Sequence, residues 1–335
     1  MSELLRRRWF SPGDVLHDRV TLVAVGVIVG LLILSGAVTL VLGQAGLISE
    51  KLYREIMLRW RSWLFITLIL FIPIVLGPAW VMTGTCLLSL LCYQEFARAT
   101  GLFREKTISL FVVLGIFVVT FASYDNYSRL FFASAALTVG LIATATIPQD
   151  RPKGYLQRTA LGVLGFVLFG YSFGYISYLA NSPHFRSILI FMILTVELND
   201  VFAFCCGKLI GGPKAIPNTS PGKTWAGCIG ALVLTSAFVV ALGHFVFHGT
   251  PVDRVPLLML MGIGISILGQ LGDLLLSSVK RDVGIKDLGT IIPGHGGLLD
   301  RFDSLVLVPP TLFHFLSLLL GPIGADQPQR ILTGG

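Results

Sequence analysis

The sequence predicts an all-α, polytopic membrane protein with about eight to ten transmembrane spans, and three observations carry that prediction. Hydrophobic residues fill 54% of the 335 positions and charged residues only 13%, about half the roughly 25% of soluble domains. A soluble fold of this size would lack the polar surface to cover its apolar core. The mean hydropathy is +0.81, and the apolar residues fall in repeated runs close to the ~20 residues that cross ~30 Å of hydrocarbon. Finally, the 25 lysines and arginines, which set a net charge of +7, sit mostly between those runs. That distribution suits anionic headgroups or cytoplasmic anchoring, and no dedicated basic segment points to nucleic acid.

The first run, Val20–Gly43, begins well after Arg6, Arg7 and Arg8 and is followed by no small-residue cleavage site, so it reads as a retained span. Lys51–Arg61 sets Leu52, Ile56 and Arg59 or Trp60 at helical spacing, which fits an interfacial helix or a short connecting helix equally. Residues 1–61 are therefore read as an N-terminal extension. Ser62–Tyr93 carries no charge, and as one helix it would be roughly 48 Å long. Gly77-Pro78 at its middle is a natural turn, so it divides into two short spans. Thr107–Ser123, Leu130–Ile147 and Thr159–Ala180 complete a first group of membrane helices over 62–186. Ser187–Cys206, Trp225–Phe247, Val255–Val279 and Leu305–Ile323 form a second membrane region, 187–323, with long loops at 207–224 and 280–304 and a tail at 324–335. The count is ten, with nine or eight allowed. The five cysteines lie in or beside apolar runs without metal-site spacing, as buried thiols do.

Orientation follows from the Lys/Arg bias of the loops. Loop 207–224 carries Lys208, Lys214 and Lys223, and loop 280–304 carries Lys280, Arg281, Lys286 and Arg301. Two spans separate them, so they share one side, predicted to be cytoplasmic. Ten spans then put Arg6–Arg8 outside, against the rule.

Polar residues concentrate in the second region. Glu197, Asn199 and Asp200 stand inside a span, where carboxylates are expensive and usually face a cavity, an ion or a partner. Glu197 and Asp200 can share a helix face; an interhelical polar contact is the plainer alternative. Ser220-Pro-Gly-Lys223-Thr224-Trp225 resembles the tail of a P-loop, but Pro217 stands where the first glycine belongs, and a membrane span precedes it. The segment keeps phosphate-friendly parts: hydroxyls, a lysine and a helix start near Trp225. A helix-capping turn is the alternative.

The richest segment is Gln270–Asp303. Asp273, Ser277 and Lys280 recur at helical spacing, forming one polar edge from membrane depth to the rim. Arg281, Lys286, Asp287, Gly289 and Pro293-Gly294-His295-Gly296-Gly297 follow, then Asp300-Arg301-Phe302-Asp303. Asp273, Asp300 and Asp303, converging from two helix ends, offer hard oxygens suited to Mg²⁺, which takes one or two carboxylates plus substrate phosphates. Neighbouring cations can hold further phosphate oxygens, and His295 could donate a hydrogen bond or shuttle a proton. A charged loop with internal salt bridges is the alternative, and it would not keep charges at membrane depth.

These residues resemble the CDP-diacylglycerol synthase (phosphatidate cytidylyltransferase) family. Its signature is matched by Ser277, Lys280, Arg281, Lys286, Asp287, Gly289, Pro293, His295, Gly296, Gly297, Asp300, Arg301 and Asp303, and the Ser220–Gly227 and Asp200 segments match family elements upstream. Val201 and Phe202 follow Asp200 where bacterial members commonly carry small residues, which bears on the shape of the pocket. The resemblance implies that CTP and phosphatidate give CDP-diacylglycerol and pyrophosphate, in a bacterial cytoplasmic membrane. It further implies Mg²⁺, with room for a second cation, on Asp273, Asp300 and Asp303. His295, Lys280, Arg281, Lys286 and Asp287 would serve the chemistry, and Asp200, Ser220, Lys223, Thr224 and Arg301 would bind substrate. The sequence allows a homo-oligomer. Two other readings compete: the same fold acting on another lipid phosphate, and a cation-coupled transporter.

Overall fold

The computed structural model describes residues 6, 8–16, 18–289 and 297–334. Its helices follow the apolar runs. α1 (Arg19–Gln44) starts at Asp18, whose carboxylate accepts from Val20 N and Thr21 N, a standard N-cap. α2 (Glu50–Leu76) and α3 (Pro78–Ala99) meet at Gly77. There φ is 151°, and an added Cβ would lie 2.9 Å from Arg8 O, so both backbone conformation and close approach require glycine. Pro78 then occupies the first helical position, where its missing N–H costs nothing. The expected turn at Gly77-Pro78 is therefore present. The expected separate helix at Lys51–Arg61 is not: α2 runs unbroken across it, its cationic residues forming the first turns of a membrane helix.

α4 (Lys106–Tyr124) and α5 (Ser128–Thr144) follow, then α6 (Tyr155–Gly165), a π-helical stretch at Phe166–Ser172 and α7 (Phe173–Leu179) in one line. α8 (Phe185–Leu209) leads into a two-stranded antiparallel hairpin, β1 (Lys214–Ile216) and β2 (Ser220–Thr224). α9 (Trp225–Val246), α10 (Val255–Val283), the short α11 (Leu299–Phe302), a 3₁₀ turn at Asp303–Leu305 and α12 (Val308–Leu320) complete the chain. Among the described residues, nine helical segments are long and apolar enough to cross a membrane. α3 is not one of them; it carries Thr85, Ser89 and Glu95, which are buried inside the bundle. The protein is thus an all-α polytopic membrane protein. Its core gathers Phe96, Phe131, Phe166, Phe169, Phe173 and Tyr178, all fully buried. The five cysteines are free, but only Cys92 is buried and Cys205 is exposed, which corrects the expectation of buried thiols: a bilayer-facing helix can show a thiol to lipid.

Successive helices run between two ends. At the end far from the hairpin, the N-terminal segment and the tail pack into the bundle. Arg8, only 5% exposed, donates to Asn181 Oδ1 at 2.5 Å and to Gln327 Oε1 at 3.3 Å. Arg186 donates to Ser11 O at 2.8 Å and Ile74 O at 3.1 Å. Asp125 accepts from Leu332 N, Thr333 N and Thr333 Oγ1 at 2.6, 3.0 and 2.7 Å. Burial works against charge on Asp125, but these donors outweigh it and hold its carboxyl below the usual range. Arg8 therefore does stand at the end opposite the signature loops. Its guanidinium is spent on side-chain and backbone oxygens of the bundle.

Candidate active site

The near end is built by the ends of α3, α8 and α10, the starts of α9 and α11, and the hairpin. α8 and α9 cross closely, because a Cβ on Gly227 would sit 2.6 Å from Ala203 O. Thr224 caps α9, its Oγ1 accepting from Gly227 N at 3.1 Å. That hydroxyl, read from sequence as a substrate contact or a cap, is committed to the cap. Lys223, one residue earlier on β2, reaches α10 and meets Asp273 Oδ2 at 2.7 Å and Gln270 O at 3.3 Å. Ser277 Oγ, one turn along, donates to Asp273 Oδ1 at 3.2 Å.

The polar edge expected on α10 is thus real, and its next member links it to α11. Lys280 Nζ lies 3.0 Å from Asp300 Oδ1 and 3.9 Å from Asp303 Oδ2. α10 ends one turn on, at Gly284, where φ is 77° and Ile285 N returns to Lys280 O at 2.9 Å; this left-handed cap suits glycine. α10 can approach the Asp303 backbone because residue 272 is glycine: a Cβ there would be 2.6 Å from Asp303 O. Asp303 Oδ1 accepts from Ser304 N at 2.9 Å, and Ser304 Oγ donates to Asp200 Oδ2 at 2.7 Å. Asp273 and Asp200 are both electrostatic neighbours of Asp303. Arg281 Nε donates to Thr219 O at 3.2 Å, tying α10 to the hairpin. Lys286, Asp287 and Arg301 are exposed, Ser220 is half-buried on β2, and His295 lies outside the described residues. Val201 is exposed.

The structure thus brings together Asp200, Lys223, Asp273, Lys280, Asp300 and Asp303. Among the described residues there is no ready-made group of three or more metal ligands. Asp273 and Asp300 are each held by a lysine. Asp300 Oδ2 also accepts from Leu288 N at 2.9 Å and Gly297 N at 3.0 Å, so that oxygen organises backbone. The donor set still suits a hard divalent ion that takes its remaining ligands from phosphates.

One residue was not found from sequence. Glu95, on α3 and 3% exposed, accepts from Leu298 N at 3.0 Å and Leu299 N at 2.7 Å. Its only sequence signal is a carboxylate just past the end of an uncharged stretch.

Fold and site together define a class: a polytopic membrane protein with lysines and hard carboxylates paired at one end of the bundle. The comparisons narrow the class. Residues 57–319 match the cytidylyltransferase family, and the chain belongs to that family; it is a nucleotidyl-transferring enzyme. An Escherichia coli K12 protein described as uncharacterized protein YnbB is 29% identical over 275 residues, 80% of this chain and 90% of its own. The phosphatidate cytidylyltransferase of Staphylococcus haemolyticus is 32% identical over 250 residues, 74% of this chain and 94% of its own. That of Rickettsia bellii is 33% identical over 161 residues, 47% of this chain and 70% of its own.

Proposed function

We propose that the protein transfers the cytidylyl group of CTP to phosphatidate, giving CDP-diacylglycerol and pyrophosphate. The observation that carries this reading is the paired constellation Lys223–Asp273 and Lys280–Asp300/Asp303, at the mouth of a bundle of apolar helices. Such a site can take a water-soluble triphosphate from one side and a lipid phosphate from the bilayer. The similarity to staphylococcal phosphatidate cytidylyltransferases supports the choice of acceptor.

In this reaction an oxygen of the lipid phosphate attacks the α-phosphorus of CTP; the new P–O bond forms as the α–β bridge breaks, and pyrophosphate leaves. No covalent enzyme intermediate is required, because positioning and charge neutralisation can supply the catalysis. Lys223 and Lys280 are placed to turn from their carboxylates to phosphate oxygens, with Arg281, Lys286 and Arg301 further out on the same rim. Magnesium would be held by Asp273, Asp300 and Asp303, where it would neutralise charge on the phosphates. His295, outside the described residues, is given a part in the chemistry by the family resemblance alone. The near end is assigned to the cytoplasm, where CTP is made, because Arg98, Arg104, Lys106, Lys208 and Lys214 stand at the helix ends and connections on that side.

The test is to incubate the detergent-purified protein with radiolabelled CTP, phosphatidate and Mg²⁺, and to follow label into the organic phase. Label that requires both Mg²⁺ and Asp303 supports the reaction and the metal assignment. Equal label with Asp303→Ala would keep the reaction and sink the metal site. Label only with a different lipid phosphate would move the assignment to that acceptor.

A further inference from the structure

Glu95 sits on α3, about two hundred positions from the signature, and is buried. Its partners are backbone amides: Oε1 takes Leu298 N at 3.0 Å and Oε2 takes Leu299 N at 2.7 Å. Among the described residues it forms no ion pair. Both oxygens accept and neither donates, an arrangement that a carboxylate satisfies in full and an amide side chain only by half.

Two glycines press on this carboxylate from either end of the 289–297 segment. A Cβ on Gly289 would overlap Glu95, whose Oε1, Cδ and Cγ are its three nearest atoms. A Cβ on Gly297 would fall 2.8 Å from Glu95 Oε2, 2.9 Å from Asp300 Oδ2 and 2.7 Å from Gly289 N. Gly289 has no positive φ, so backbone conformation does not demand glycine there. Space does, and Glu95 takes much of that space. The two ends of the segment therefore touch, and two carboxylates close the neck. Asp300 binds Leu288 N and Gly297 N from one side; Glu95 binds Leu298 N and Leu299 N from the other.

We infer that Glu95 is a positioning residue for the transfer reaction: it clamps the loop neck and thereby sets where Asp300 and Asp303 stand against Lys280 and Asp273. The link is short. Leu299 opens α11, Asp300 is the next residue, and Asp303 follows one turn on, with its main chain packed against Gly272. A slip at Leu298–Leu299 passes directly to both site carboxylates. The inference rests on cytidylyl transfer as the reaction, and only its kinetic arm depends on phosphatidate as the acceptor.

The experiment compares full-length wild type, Glu95→Gln, Gly289→Ala and the double variant in detergent. It measures kcat and KM for CTP with phosphatidate, and deuterium uptake of peptides spanning 297–303. Glu95→Gln keeps shape but removes one acceptor, so kcat should fall roughly 10- to 100-fold, with KM for CTP within about threefold. Uptake at 297–303 should rise while the far-end peptides at 324–333 exchange as in wild type. Gly289→Ala should reproduce the loss, because its methyl can enter only by pushing Glu95 off its amides. The double variant should then fall no more than about twofold below Glu95→Gln, since groups in contact do not add. Unchanged kcat in Glu95→Gln, or multiplying losses in the double variant, overturns the inference. Should Glu95→Gln fail to accumulate, Gly289→Ala, which leaves the carboxylate in the chain, carries the same comparison. Should wild type not label phosphatidate, the acceptor assignment falls on its own, and the exchange arm still decides: unchanged uptake at 297–303 in Glu95→Gln overturns the role of Glu95.

Discussion

Replacing Lys280 by methionine removes a cation that stands 3.0 Å from Asp300 and 3.9 Å from Asp303. The Lys280 and Asp300 side chains are only 11% and 4% exposed, so water cannot readily take the place of either. Deleting one member of a buried pair leaves an uncompensated charge, at about 3–5 kcal/mol. Asp300 keeps two amide donors, which places Lys280→Met toward the lower bound, about 3 kcal/mol. Asp300→Asn leaves Lys280 only its longer contact to Asp303 and weakens the hold on Leu288 N and Gly297 N, so its cost should approach about 4 kcal/mol. If the two side chains act as a pair, the double variant should cost less than the sum by about 2 kcal/mol. The assay is reversible unfolding in mixed micelles, titrated with a denaturing detergent and followed by tryptophan fluorescence, on all four proteins. Costs that add to within about 0.5 kcal/mol would refute the pairing and leave Lys280 as a cation merely near Asp300.

Lys223→Met should lower kcat/KM for CTP by roughly 100-fold, as loss of one fixed cation at developing charge does, while the circular dichroism spectrum stays that of wild type; activity within threefold would remove Lys223 from the site. Gly227→Ala forces a methyl to within 2.6 Å of Ala203 O and should destabilise the α8–α9 crossing by about 1–3 kcal/mol, read in the same micellar unfolding assay. Docking of the tail on Asp125 should depend on pH in a stated direction. The folded carboxyl titrates below its ordinary value, so the contact contributes fully above about pH 4, the unfolded value, and is lost as pH falls through the lower folded value. Carboxypeptidase release of the tail should therefore accelerate only in acid, and Asp125→Asn should release it at neutral pH as well; a pH-independent rate in wild type would rule this out.

Much of the architecture was legible because hydropathy reports bilayer crossings directly: Trp225–Phe247 was expected and α9 is Trp225–Val246. Lys51–Arg61 misled because its charges interrupt the apolar run, although a helix whose first turns lie at the membrane rim tolerates them. The hairpin carrying Lys223 is too short to show alternation, and the π-helical stretch at Phe166–Ser172 changes hydrogen-bond spacing without changing composition. Asp273, Lys280, Asp300 and Asp303 could be gathered from sequence because helical spacing and a dense motif place them. Their pairing with lysines could not, since spacing does not say which cation crosses from β2 to α10. Glu95 lay beyond reach for a different reason. Its partners are amides, which every residue possesses, so nothing in the side chains at 298 and 299 marks the contact.

The far end of the bundle is tied together by its own polar side chains: Arg8, Arg186 and Asp125 hold the N-terminal segment and the tail against the helix ends. Arg8 also donates to Gln327 Oε1 at 3.3 Å, so the first and last described segments share one knot. Shortening the tail before Gln327 would therefore loosen the N-terminal segment as well, although the two lie more than three hundred residues apart in the chain.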